Sequence, residues 1–101
     1  MKVLLDRVSV APEGWKVARW PHDAINLLKT GAVTELTINE EYGKQKRGTG
    51  EDVLEWLNVA VVNIGLSPPS IKIHANNIDQ HKRMMSKVHR IYLTHRMKFI
   101  R

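Results

Sequence analysis

The alternation of apolar and polar residues along this chain changes period several times, and the changes separate strands from helices. The run KVLL at 2–5 is apolar enough for a buried strand and stops at Asp6. APEGW at 11–15 is punctuated by Pro12 and Gly14 as a turn, and KVAR at 16–19 reads as a second short strand. Pro21 suits a first helical turn, and the following residues place Ala24, Ile25 and Leu28 on one face before Gly31 stops the helix. LTINEEYG at 36–43 belongs to a third strand, spanning 35–38, that runs into polar side chains.

From 51 to about 64 the period is helical, with Val53, Leu57, Ala60, Val61 and Ile64 recurring on one side and Gly65 ending the run. The two prolines of LSPPS exclude a continuing helix. IKIH at 71–74 is a fourth strand. Asn77 is placed to cap a last, long helix with a stripe of Met84, Val88 and Ile91. The tail RMKFIR is either the end of that helix or a short edge strand. Strands alternating with helices predict an α/β fold, with a parallel four-stranded sheet covered on both faces. Trp15 and Trp56 are expected in the core, and Trp20 at a partner contact or over a crevice.

With 101 residues the chain forms one small domain spanning 1–101. It contains no cysteine, which excludes disulfides, thiolate zinc sites and a cysteine nucleophile. No apolar run reaches the length of a membrane span, and a strand starting at Lys2 leaves no room for a signal peptide, so a cytoplasmic protein is expected. Nine Lys/Arg offset nine Asp/Glu in residues 1–76, whereas 77–101 carries seven Lys/Arg against Asp79 and so holds the whole net charge of +6. Lys82, Arg83, Lys87, Arg90 and Arg96 therefore form a candidate surface for an acidic protein or a nucleic acid, set against the reading of a merely solvated helix face.

In open parallel sheets the ligand crevice lies beyond the carboxyl ends of the strands. Four polar clusters fall there: Asp6-Arg7, Asn39-Glu40-Glu41, KRGTG at 46–50 and His74-Ala75-Asn76-Asn77. Magnesium on Asp6, Glu40 and Glu41 is one possibility, but Arg7 beside it would repel the ion by roughly 4 kcal/mol at ~4 Å and an effective dielectric of ~20. The same arginine favours an anion, with Lys46 and Arg47 assisting. The spacing around Gly48 and Gly50 matches no P-loop, and Glu51 and Asp52 already sit at the positive end of the helix. His74 is read either as a packed histidine or as an acid, base or phosphate contact, and Asn77 as a helix cap or a ligand donor. The remaining histidines lack the spacing of a zinc pair.

The stretches MKVLLD, APEGW, AINLLKTGAVTELTI, RGTGEDVLEWL and SPPSIKIHANN, in that order over roughly residues 1–92, resemble the cyclic-phosphate processing receiver-like domains. The resemblance implies a reduced receiver, flavodoxin-like sheet lacking the helix between its first two strands. It also implies processing of cyclic or terminal nucleotide phosphates. That family tends to carry two aspartates after the first strand, where this chain has Asp6 and Arg7. It tends to show Asp-His-Asp after the third, here Asn39, Glu40 and Glu41, and His-Ser-Ala-Asn after the fourth, here His74, Ala75, Asn76 and Asn77. Gly43, Arg47, Gly48, Thr49 and Gly50 match.

Scaffold positions are thus retained while acidic and hydroxyl groups change. The expectation is a non-catalytic module without a cofactor, binding a phosphorylated ligand such as a nucleotide, or a protein partner, through Asp6, Arg7, Asn39, Glu41, Arg47, Thr49, His74 and Asn77. A phage or mobile-element protein acting on a host factor would suit such a chain. The first alternative is a magnesium-dependent phosphohydrolase or phosphodiesterase with Asp6 and Glu41 on the metal and His74 as acid or base. The second is nucleic-acid or acidic-protein binding through the basic last helix.

Overall fold

The structure, a computed structural model, describes residues 1–40 and 48–97. In chain order the elements are β1 (Lys2–Leu5), β2 (Trp15–Ala18), α1 (Pro21–Leu28), β3 (Glu35–Glu40), α2 (Gly50–Asn63), β4 (Ser70–Ala75) and α3 (Ile78–Met97). The four strands form one parallel sheet in the order β2-β1-β3-β4. Leu5 pairs with Ala18 and with Ile38, and Ile38 with Ile73, so a whole row of the sheet is apolar and buried. The preceding row, Leu4, Val17, Thr37 and Lys72, points the other way and is exposed or half-buried.

Connectivity explains this difference. The helix-bearing crossovers, β2 to β3 and β3 to β4, step across the sheet in the same direction, and right-handed crossovers that do so lay their helices on the same face. α1 packs on β1, β2 and α2, while α3 packs on α2 and β4. All three helices contribute to one core, where Leu28, Leu57, Val61, Met84 and Ile91 meet Val3, Leu36 and Ile71. The expectation of helices on both faces is therefore corrected. The step from β1 to β2 runs the opposite way and is the one that would have carried a helix to the second face. Residues 6–14 contain none.

Local signals set the element ends. Pro21 opens α1 after an extended Trp20, and Gly65, at φ 67°, follows α2. Asn77 caps α3, its Oδ1 accepting the Gln80 N–H at 2.9 Å. The helix continues through Arg96 and Met97, while residues 98–101, where the tail's alternatives would divide, lie outside the described residues. Trp56 packs against the core, as its helical position implies. Trp15 does not: its register with Lys2 places it on the open face, half-buried, with the Lys2 ammonium 5.8 Å from its ring centre.

At the outer edge of the sheet a side chain takes one main-chain donor of β4. The Tyr92 hydroxyl of α3 accepts the Ile71 N–H at 2.8 Å and donates to the Pro69 carbonyl at 3.0 Å. Among the described residues no helix is long and apolar enough to cross a membrane.

Candidate functional site

At the carboxyl edge of the sheet, each face carries one buried carboxylate, and the two have opposite environments. Asp6 follows β1 and is held to β2 by its N–H on the Ala18 carbonyl at 3.0 Å. Its Oδ1 accepts the N–H groups of Val8 and Ser9 at 2.9 and 3.0 Å. Its Oδ2 accepts the Ser9 hydroxyl at 2.8 Å and the Asn39 amide at 2.7 Å. Arg19 clamps the same loop from outside, donating to the Ser9 and Asp6 carbonyls at 2.6 and 3.2 Å. Asp6 is only 2% exposed. Burial pushes its pKa up, but the four donors outweigh burial and bring it down to about 2. A carboxylate offers about four lone-pair sites, so this one has no acceptor capacity left for a ligand.

Glu40, at the end of β3, lies on the covered face beneath the start of α2. Its Oε1 accepts the Gly50 N–H. Its pKa is raised, chiefly by burial; the Gly50 bond opposes this, Glu51 and Asp52 add to it by repulsion, and Gln80 opposes it.

A Cβ on Gly50 would collide with Ile38 Cγ2 and lie 2.8 Å from Glu40 Oε1, so the glycine is required for close approach of helix and strand. Gly48 has φ +94° and leaves only 2.6 Å between a built Cβ and Asp52 Oδ2. The Thr49 N–H is taken by Asp52 Oδ2 at 2.8 Å. These glycines serve packing and capping, and the chain's own carboxylates already occupy amides that a phosphate would need.

The other expected residues divide between locations. Asn39 sits beside Asp6 and in register with His74, which is exposed on β4. The Asn39 Oδ1 is buried without a hydrogen-bond partner among the described residues. Arg7 lies on the Trp20 ring with its guanidinium carbon 3.7 Å from the ring centre, towards the β2 side of the sheet. β1 and β4 are two strand spacings apart, about 10 Å, and Arg7 is stacked towards the β2 side, away from His74. Glu41 and Arg47 lie outside the described residues. Magnesium needs oxygen donors with free lone pairs. Asp6 has none, and among the described residues no three His, Asp or Glu side chains gather as a metal site. The described residues do not fit the ion.

The basic helix is partly neutralised from within. Arg83 donates twice to Glu51 Oε1, at 2.9 and 2.7 Å, and Lys87 pairs with Glu55. The Glu51 contact raises the Arg83 pKa further above its usual value. Two pairs with matching four-residue spacing thus join the parallel helices α2 and α3. Lys82, Arg90 and Arg96 remain exposed, with no ion-pair partner among the described residues.

Sequence reasoning did not single out Ser9 or Arg19, and it favoured Glu41 over Glu40. Arg19 matters only because β1 and β2 pair in a register that brings residue 19 beside residue 6, which no local pattern announces, whereas Ser9 caps Asp6 locally, three residues on.

A four-stranded parallel sheet with this order, lacking the first crossover helix, defines a reduced receiver-like α/β domain. The chain belongs to the cyclic-phosphate processing receiver domain family, whose model matches residues 1–90. No curated protein and no solved structure matches it significantly.

Proposed function

We propose that this domain is a non-catalytic receiver-like module that acts by binding a protein partner. The observation that carries the reading is the saturated Asp6 carboxylate: the acidic group that the resemblance puts first in the site is spent on Val8, Ser9 and Asn39. A phosphorylated ligand has less support, because Arg7 is stacked on Trp20 and the amides at the start of α2 are engaged.

Isothermal titration with magnesium should give no stoichiometric uptake, and cyclic and terminal nucleotide phosphates should not be turned over. Turnover that disappears in His74→Ala, an exposed position whose truncation leaves the core untouched, would reject the reading in favour of a phosphodiesterase.

A further inference from the structure

Parallel sheets are normally buried on both faces, and their open face is a surface that something else must complete. Here that face presents Leu4, Trp15, Val17 and Thr37 half-buried, and none of its apolar side chains packs against the core cluster. A groove of about 190 Å³ runs along it past Trp15, Glu35, Thr37, Ser70, Lys72 and His74. It carries both signs of charge, with an excess of cations. Lys2 is compensated by Glu35 at 3.5 Å. Neither Lys72 on β4 nor Arg19, just past β2, has a carboxylate within ion-pair distance among the described residues, and Arg19 bonds only carbonyls, those of Asp6 and Ser9. Apolar ground is thus bordered by a cation at each side of the sheet.

We propose that this face receives one acidic amphipathic helix from a partner protein, its apolar stripe on Leu4, Val17 and Trp15 and its carboxylates towards Lys72 and Arg19. Dimensions favour a single helix. Four strands spaced ~4.8 Å apart span ~14 Å, and a helix with its side chains is ~10–12 Å wide. The longest strands, of six residues, cover about 20 Å, matched by about 13 helical residues. A second copy of the chain is disfavoured, because face-to-face pairing would oppose Lys72 and Arg19 to their own counterparts in a protein of net charge +6. A single-stranded nucleic acid would find cations at the borders but one ring, already approached by Lys2, and no series of rings on which successive bases could stack.

The inference rests on the binding-module reading but uses other atoms than the Asp6 carboxylate. Its test is selection of a displayed library of amphipathic helices against the full chain, followed by fluorescence anisotropy with the enriched peptides. Peptides with an apolar stripe bordered by Asp and Glu should enrich. Their affinity should fall about tenfold or more in Lys72→Glu and in Leu4→Asp, the former an exposed change that leaves folding intact, and stay within about twofold in Lys82→Glu on α3. Failure of acid-bordered helices to enrich would overturn the proposal, as would binding insensitive to Lys72→Glu. A mixed-sequence single-stranded oligonucleotide that competes with the selected peptides and is lost in Lys72→Glu would reassign the face to nucleic acid. Metal-dependent turnover alongside intact helix binding would reject only the non-catalytic reading and leave the docking surface standing.

Discussion

The two faces of this sheet are made from the same four strands, yet they solve opposite problems. On the covered face Val3, Leu36 and Ile38 are fully buried under three helices, and the carboxylate at its upper edge, Glu40, is desolvated among like charges. On the open face Leu4, Val17 and Thr37 stay half-exposed, and the carboxylate at its upper edge, Asp6, is surrounded by donors. The difference follows from connectivity. A crossover without a helix removes one layer, and the loop that replaces it must fix itself through polar bonds. The buried apolar packing is therefore concentrated on one face, and the other stays half-exposed.

The sharpest way to break this comparison is to truncate the same kind of side chain on each face. Ile38→Ala should cost about 2–5 kcal/mol in urea unfolding, since Ile38 is fully buried. Val17→Ala should cost about 1 kcal/mol or less, because Val17 already contacts water. Equal losses would mean that the open face is covered after all.

Next in size is Gly50→Ala. The added methyl meets Ile38 and Glu40, and overpacking of this kind costs about 1–3 kcal/mol, read as a lower thermal midpoint.

The carboxylates sharpen the contrast through pH. Asp6 has a pKa near 2 in the fold against an ordinary 3.8, so its contribution is present above about pH 4 and is lost as pH falls towards 2. Asp6→Asn should remove about 2 kcal/mol at neutral pH and flatten that acid limb of the stability profile.

Glu40 has the opposite sign. Its folded pKa lies above its ordinary 4.5, so its contribution is complete below that value and is lost as pH rises through the folded pKa. Glu40→Gln keeps an acceptor for the Gly50 N–H and removes the buried charge. It should leave stability at pH 7 unchanged or higher, and abolish the decline that begins above pH 4.5.

Most of the fold was legible because periodicity reports burial. The alternation in ELTINE fixes Leu36 and Ile38 as inward, and the spacing in α2 and α3 marks their core stripes. The number of covered faces was not legible, since strand–helix alternation does not reveal which crossover lacks its helix. Trp15 is expected in the core, and only its register with Lys2 puts it outside. The candidate site was harder still. Of the adjacent Asn39 and Glu40, one belongs to each face, and a one-residue step puts the carboxylate under α2 and the amide beside Asp6. One signal was present and unused: Glu51 and Glu55 repeat the four-residue spacing of Arg83 and Lys87, the pattern of two helices pairing side by side.

The Tyr92 hydroxyl has a consequence for self-association. A sheet that stops at β4 exposes a row of amides and carbonyls on which another chain's strand can template itself, the route to edge-to-edge polymers. With one phenol the chain occupies the Ile71 N–H at the root of that edge and the Pro69 carbonyl before it, so an incoming strand loses the first rung of its ladder there. The hydroxyl thus guards one position of that edge against pairing with another chain. Tyr92→Phe, which keeps the ring and loses the two bonds, should leave the monomer folded while lowering the concentration at which light scattering rises.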